Sequence, residues 1–281
     1  MTEILKGKPV ADAIDQRSIE TIQNDHLSPV LALFRVGEKE DDLSYERGIE
    51  KKADKLGIRV IKNVLSEDVS EDEICEKLKL ADQDKEVDGI MIFRPLAKRF
   101  NDVRIRNCIS PEKDIDGCSE LSLASLFTNN KKGFAPCTPQ SVIEILDHYQ
   151  IPIESKNVVI IGRSLVIGKP VSMLLLNRNA TVTICHRKTK DLEKIASKAD
   201  ILVCAAGERK MITKGYTHPD QVVIDVGINW DEENQKLCGD VCYKEVKDFV
   251  RAITPVPGGV GSTTTSILLS HVAEAAKRNS K

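Results

Sequence analysis

Residues 158–170 restrict the fold of this chain more than any other part of the sequence. Four β-branched residues, from Val158 to Ile161, run directly into Gly162, and the stretch after Gly168 is compatible with a helix. This pattern predicts a buried parallel strand, a tight glycine turn and a helix whose first turn faces outward. Backbone N–H groups and the positive end of the helix dipole gather at such a turn, so it is suited to an anion such as a pyrophosphate.

The next predicted strand, residues 180–185, ends in His186, Arg187 and Lys188. A dinucleotide site selective for NAD would carry an acidic residue there to bind the ribose 2′-hydroxyl. The three basic side chains, with Arg163 in the turn, suit the 2′-phosphate of NADP instead. The glycine spacing is G-x-x-x-x-x-G rather than the usual G-x-G-x-x-G, so a plain βα turn and a solvated basic loop stay open on these residues alone.

Length and charge narrow the class of protein. The chain has 281 residues, which is enough for two domains with sizeable cores. Its net charge of −2 suggests no nucleic-acid or membrane partner, and no apolar run reaches the length of a membrane span. The N-terminus lacks the apolar core of a signal peptide, and the eight cysteines include no C-x-x-C pair. We therefore expect a cytoplasmic protein with reduced thiols and no bound metal.

Strands and helices alternate along the chain, which predicts α/β architecture with parallel sheets. In the first half, we expect strands at residues 30–36, 60–64 and 87–93 and helices at residues 43–56 and 70–81. A loop-rich connection (95–139), a helix (140–149) and the glycine turn follow. Two more buried strands, residues 201–206 and 222–226, each lead into a glycine, Gly207 and Gly227. Ligands of open α/β sheets bind beyond the carboxyl ends of such strands, so both glycines are candidates for cofactor contact.

Eight segments, in this order and spacing, resemble those of the methylenetetrahydrofolate dehydrogenase/cyclohydrolase family. They are Ser44-Tyr45 and residues 111–117, 136–139, 161–164 with 168–170, 180–186, 223–229, 239–241 and 254–261. The resemblance implies two α/β domains flanking a cleft, the C-terminal one a Rossmann-type dinucleotide-binding domain. The corresponding division is residues 1–138 plus 263–281 for folate binding and catalysis, and 139–262 for the cofactor. It also implies a homodimer, NADP or NAD as cofactor and tetrahydrofolate derivatives as substrates, and the basic side chains named above favour NADP.

The resemblance also implies roles for single residues. Tyr45 would stack on the folate, Asp116 would hold its pterin ring, and Pro257, Gly258 and Gly259 would shape the substrate wall. The cofactor would contact Gly162, Arg163, Ser164, Gly168, His186, Arg187, Lys188, Gly207, Gly227 and Ile228. Enzymes of the family oxidise 5,10-methylenetetrahydrofolate to the 5,10-methenyl form, and most then hydrolyse that product.

Two departures from the family pattern affect the hydrolytic step. Ile49 stands where the family has a lysine four residues after the tyrosine, and Phe93 stands where it has a glutamine. Residues i and i+4 share a helix face, so we expect Ile49 to point beside Tyr45. Hydride transfer requires positioning but no protein base, whereas hydrolysis requires a tuned base. We therefore expect an NADP-dependent dehydrogenase with weak or absent cyclohydrolase activity.

Other interpretations stay open. If Lys52 or Arg94 replaces the missing lysine as base or as electrostatic group, the chain is an ordinary bifunctional enzyme. An arginine, however, stays protonated and is a poor base. The chain is a catalytically silent relative if it only binds folate and nucleotide. It is a dehydrogenase for a different small substrate if the changed Phe93-Arg94 wall alters specificity. Finally, Ile49 and Phe93 are ordinary core residues if this pocket folds differently.

Overall fold

The computed structural model describes residues 1–280, which form two compact units. The six-stranded unit comprises residues 1–11 and 138–264, and the three-stranded unit comprises residues 12–137 with the C-terminal segment from residue 265. Residues 1–11 thus belong with the C-terminal half of the chain, because β1 (Glu3–Ile4) pairs with β11 (Ala252–Ile253).

The remaining strands are β2 (Val30–Val36), β3 (Arg59–Leu65), β4 (Gly89–Ile92), β5 (Asn157–Ile161), β6 (Thr181–Cys185), β7 (Ile201–Cys204), β8 (Val222–Asp225), β9 (Asn229–Asp231) and β10 (Lys236–Cys238). The helices are α1 (Gly7–Asn24), α2 (Glu40–Leu56), α3 (Glu71–Gln83), α4 (Asp102–Arg106), α5 (Glu120–Thr128), α6 (Cys137–His148), α7 (Gly168–Leu176), α8 (Leu192–Ala196), α9 (Tyr243–Val246) and α10 (Thr264–Asn279). Single 3-10 turns lie at Lys214–Tyr216 and Val260–Ser262.

The six-stranded unit is built on a parallel sheet with the strand order β1-β11-β8-β7-β5-β6. Strands β5, β7 and β8 lie inside this sheet, and nearly all their side chains are buried, as expected when both faces of a parallel sheet are covered. The connection β5–α7–β6 is the Rossmann-type unit predicted from the glycine turn. A separate antiparallel hairpin joins β9 to β10.

The three-stranded unit has a parallel sheet in the order β3-β2-β4. Its central strand, β2, is buried from Val30 to Arg35, and the core of the unit includes Phe34, Ile74, Leu78 and Ile90. Helix α2 ends at Gly57, whose φ of 76° is the left-handed conformation that glycine adopts at a helix C-terminus. Helix α3 starts after Ser70, whose hydroxyl accepts a hydrogen bond from the Glu73 backbone N–H.

The α/β class and the alternating order of elements predicted from the sequence are confirmed, with ends that differ by a few residues. The predicted loop-rich connection, however, contains the short helices α4 and α5. Among residues 1–280, no helix is both long and apolar enough to cross a bilayer.

Candidate active site

The glycine turn after β5 brings two strands and a helix unusually close together. Gly162 has a φ of 140°, and a Cβ atom there would lie 2.2 Å from the carbonyl oxygen of Ala205. A Cβ atom on Gly168 would lie 2.2 Å from the carbonyl oxygen of Gly162. A side chain at either position would therefore collide with backbone, which explains the two glycines. Gly168 itself is buried under the turn.

Beside this turn lies a cavity of about 370 Å³ lined by the predicted basic residues. Its wall includes Gly162, Arg163 and Ser164 from the turn and His186, Arg187 and Lys188 from the end of β6. We call this cavity the basic glycine pocket. The pocket has room for the phosphates of NADP, and Gly162 allows them to approach the backbone closely. The cationic wall matches their negative charge. Arg187 and Lys188 are exposed and thus available to an anionic ligand.

The other predicted cofactor residues lie elsewhere in the six-stranded unit. Gly227 and Ile228 line a second cavity, of about 240 Å³, together with the predicted substrate residues Pro257, Gly258 and Gly259. Gly207 lines neither of these two cavities, and its backbone N–H donates to the Asp240 carboxylate at 3.0 Å.

In the three-stranded unit, Tyr45 lies on α2 with 37% of its surface exposed. Its ring meets the buried Phe93 ring edge to face. Ile49 has no exposed surface and packs on the buried face of α2 with Ala53 and Leu56. The Ile49 side chain is therefore fully enclosed by the protein.

Lys52, a possible substitute for the missing lysine, is engaged in an ion pair. Its Nζ lies 2.8 Å from Asp15 Oδ2 and 2.6 Å from Ser266 Oγ. These partners belong to α1 and α10, so the lysine joins three helices of the three-stranded unit. Its ammonium is thus engaged by a carboxylate and a hydroxyl, while 26% of the lysine side chain is exposed.

Asp116, a predicted substrate residue, lies close to other charged side chains. Burial and the neighbouring Asp114 carboxylate raise the pKa of Asp116 to about 6, although the Arg94 guanidinium and a hydrogen bond with the Cys137 thiol act in the opposite direction. Arg94 is fixed by two hydrogen bonds to Asp102, at 2.7 and 2.8 Å. Sequence reasoning identified Arg94 as a departure but did not find Asp102, since nothing in the sequence signals this pair.

Within residues 1–280, no group of three or more His, Cys, Asp or Glu side chains is arranged to hold a metal ion. All eight cysteines are free thiols.

Two family descriptions match almost the whole chain. Residues 5–116 match the catalytic domain of tetrahydrofolate dehydrogenase/cyclohydrolase, and residues 136–280 match its NAD(P)-binding domain. The chain is 48% identical to the bifunctional protein FolD of Clostridioides difficile strain 630 over 278 residues, which is 98% of this chain and 96% of that protein.

Solved structures agree with this relationship. The bifunctional FolD methylenetetrahydrofolate dehydrogenase/cyclohydrolase of Campylobacter jejuni superimposes with a TM-score of 0.94 at 33% identity, covering 99% of each chain. The Trypanosoma brucei FolD, solved in complex with NADP and an inhibitor, gives a TM-score of 0.90 at 30% identity and covers 100% of this chain and 99% of that one. With sequence and structure in agreement over nearly its full length, the chain belongs to the tetrahydrofolate dehydrogenase/cyclohydrolase family.

Proposed function

We propose that this chain oxidises 5,10-methylenetetrahydrofolate to the 5,10-methenyl form with NADP⁺. The main support for the proposal is the basic glycine pocket. In this pocket Gly162, which allows a ligand to approach the backbone closely, lies with three cationic side chains, Arg163, Arg187 and Lys188, and with the imidazole of His186. Both the family's NAD(P)-binding domain and the NADP complex of the Trypanosoma relative support the choice of cofactor.

The chemistry of the oxidation demands little from the protein beyond binding and orientation. The hydride leaves a carbon that bridges two nitrogens, and these nitrogens stabilise the cation that results. NADP⁺ supplies the hydride acceptor. In this proposal, Tyr45 offers a ring for stacking on the folate, Asp116 binds donor groups of the pterin, and Arg163 and Arg187 bind the cofactor phosphates. Hydride transfer does not require any of these residues to accept a proton.

Hydrolysis of the methenyl product is the second candidate function. The Clostridioides and Campylobacter proteins are both named bifunctional, which favours hydrolysis over the expectation that it is weak or absent. Ile49 cannot supply the base, because its side chain has no titratable group and is fully buried.

A paired assay separates these functions. One arm supplies methylenetetrahydrofolate and follows NADP⁺ reduction; the other supplies methenyltetrahydrofolate and compares its decay with buffer alone. We expect reduction in the first arm and accelerated decay in the second. Reduction without accelerated decay would restore the dehydrogenase-only hypothesis. Folded protein that binds NADPH but reduces no NADP⁺ would overturn the proposed function in favour of a catalytically silent relative.

A further inference from the structure

A buried carboxylate binds the backbone of the loop that follows β7. Asp240 has no exposed surface. Its Oδ2 accepts hydrogen bonds from the backbone N–H groups of Ala206 and Gly207, at 2.6 and 3.0 Å. Its Oδ1 accepts from the Glu208 backbone N–H at 3.0 Å and from the Asn229 side-chain amide at 2.9 Å. Three consecutive backbone N–H groups therefore converge on one side chain.

Asp240 is itself held by a second buried carboxylate on β8. Asp225 Oδ1 accepts from the backbone N–H groups of Asp240 at 3.1 Å and Gly227 at 3.0 Å. Asp225 Oδ2 accepts from the Val241 backbone N–H at 3.0 Å, and the Asp225 backbone N–H donates to Thr254 Oγ1 at 2.7 Å. The loop after β7 is thus linked through two carboxylates to the end of β8.

Two glycines leave the space that these carboxylates occupy. A Cβ atom on Gly227 would lie 2.3 Å from Asp240 Oδ1, and a Cβ atom on Gly239 would lie 1.8 Å from Asp225 Oδ2. Any side chain at either position would displace a carboxylate. Glycine therefore occupies both positions at which the backbone contacts one of these carboxylates. This close packing leaves the hydrogen-bond network little freedom to rearrange.

We propose that Asp240 is a positioning residue for cofactor binding, because it fixes the loop at the rim of the basic glycine pocket before the cofactor binds. Ala205 and Ala206 line that pocket. Glu208, the last residue held by Asp240, lies with its Oε2 3.9 Å from Arg187 Nε on the opposite wall. A loop that is ordered in advance spares the cofactor the entropic cost of ordering it. The inference rests on the proposed function, in which this pocket holds NADP.

The test compares two aspartates of the six-stranded unit that accept hydrogen bonds from backbone N–H groups. In Asp240→Asn an amide NH₂ replaces one acceptor oxygen and faces N–H donors, so the loop loses hydrogen bonds to a charged group. We expect the Kd for NADPH, measured by its fluorescence on the full-length protein, to rise ~10-fold or more. Asp200→Asn is the control, because Asp200 also accepts a hydrogen bond from a backbone N–H, that of Asn157 at 2.8 Å, but lies directly before β7, away from the loop that follows this strand. Its Kd should stay within about twofold of wild type.

An unchanged Kd in Asp240→Asn would overturn the proposal, as would equal weakening in both variants. Amide hydrogen exchange of the wild-type protein provides a measurement that needs no variant to fold. Without cofactor, the N–H groups of Ala206, Gly207 and Glu208 should be protected, and exchange at the rate of an open loop would also overturn the proposal. If the wild-type protein does not bind NADPH, the proposed function is rejected instead. In that case, hydrogen exchange at the three amides still shows whether the loop is fixed.

Discussion

Tyr45 and Phe93 meet edge to face, with ring centroids 6.0 Å apart and ring planes at 88°. Phe93 is buried while Tyr45 is partly exposed, so the phenylalanine supports the tyrosine from the interior. Such a contact contributes about 0.5–1.5 kcal/mol beyond burial. We therefore expect Phe93→Leu to raise the KM for methylenetetrahydrofolate roughly 2–10-fold, as measured by steady-state NADP⁺ reduction.

Phe100→Leu is the matched control for this substitution. Phe100 is also buried in the three-stranded unit, but its ring lies against the Arg99 guanidinium, 4.1 Å away. We expect Phe100→Leu to lower the free energy of unfolding without changing the folate KM. If Phe93→Leu also leaves the KM unchanged, then Phe93 does not position Tyr45 for substrate.

The ionisation of Asp116 should appear in the pH dependence of folate use. Because its pKa is raised to about 6, the carboxylate is protonated below that pH and loses the charge proposed to bind the pterin donor groups. We expect kcat/KM for methylenetetrahydrofolate to fall on the acid side with a midpoint near pH 6. Arg94→Leu removes a cation that favours the charged form, so the midpoint should move to higher pH.

Arg104→Leu controls for a general loss of positive charge. Arg104 lies on α4, binds Glu71 and Asp72, and is not among the groups that act on Asp116. Its acid midpoint should match that of wild type. An Arg94→Leu profile with an unchanged midpoint would show that Arg94 does not control the charge of Asp116.

Much of the fold follows from local patterns in the sequence. Strand β2 has the predicted bounds, and it begins with five consecutive apolar residues, Val30 to Phe34, which favour a buried strand. Helices α4 and α5 were missed because each is short and lies in a loop-rich segment. Their local signals were Asn101 and Ser119, whose side chains accept hydrogen bonds from the backbone N–H groups of Arg104 and Ser122.

The sequence predicted which residues lie together only where these residues belong to neighbouring elements. The glycine turn and the basic segment after β6 meet because parallel strands β5 and β6 are neighbours, a relationship that topology rules provide. The partners of Lys52 and Asp240 could not be predicted. Lys52 binds Ser266, 214 positions away, and Asp240 binds Ala206, 34 positions away. Such contacts depend on tertiary packing, which no periodicity encodes.

The basic segment should determine the choice between NADP and NAD. Arg187 is exposed on the wall of the basic glycine pocket. We expect Arg187→Ser to raise the KM for NADP⁺ about 10-fold, the loss of one charge-assisted hydrogen bond, with little change for NAD⁺. Lys198→Ser, which removes an exposed cation of the same unit outside this pocket, should change neither KM. Equal losses for both cofactors in Arg187→Ser would contradict recognition of a 2′-phosphate.

The buried carboxylate of Asp225 should make stability depend on pH in an unusual direction. Burial raises the pKa of Asp225 to about 7, against the effect of the N–H donors of Val241, Asp240 and Gly227. The folded state therefore retains a proton that the unfolded chain releases near pH 4, so this group stabilises the fold at low pH and its contribution is lost as pH rises toward 7. Asp225→Asn removes the titration. In urea unfolding, the stability of wild type relative to this variant should fall by up to about 1.4 kcal/mol per pH unit between pH 4 and 7. A constant difference across that range would show that Asp225 is ionised throughout.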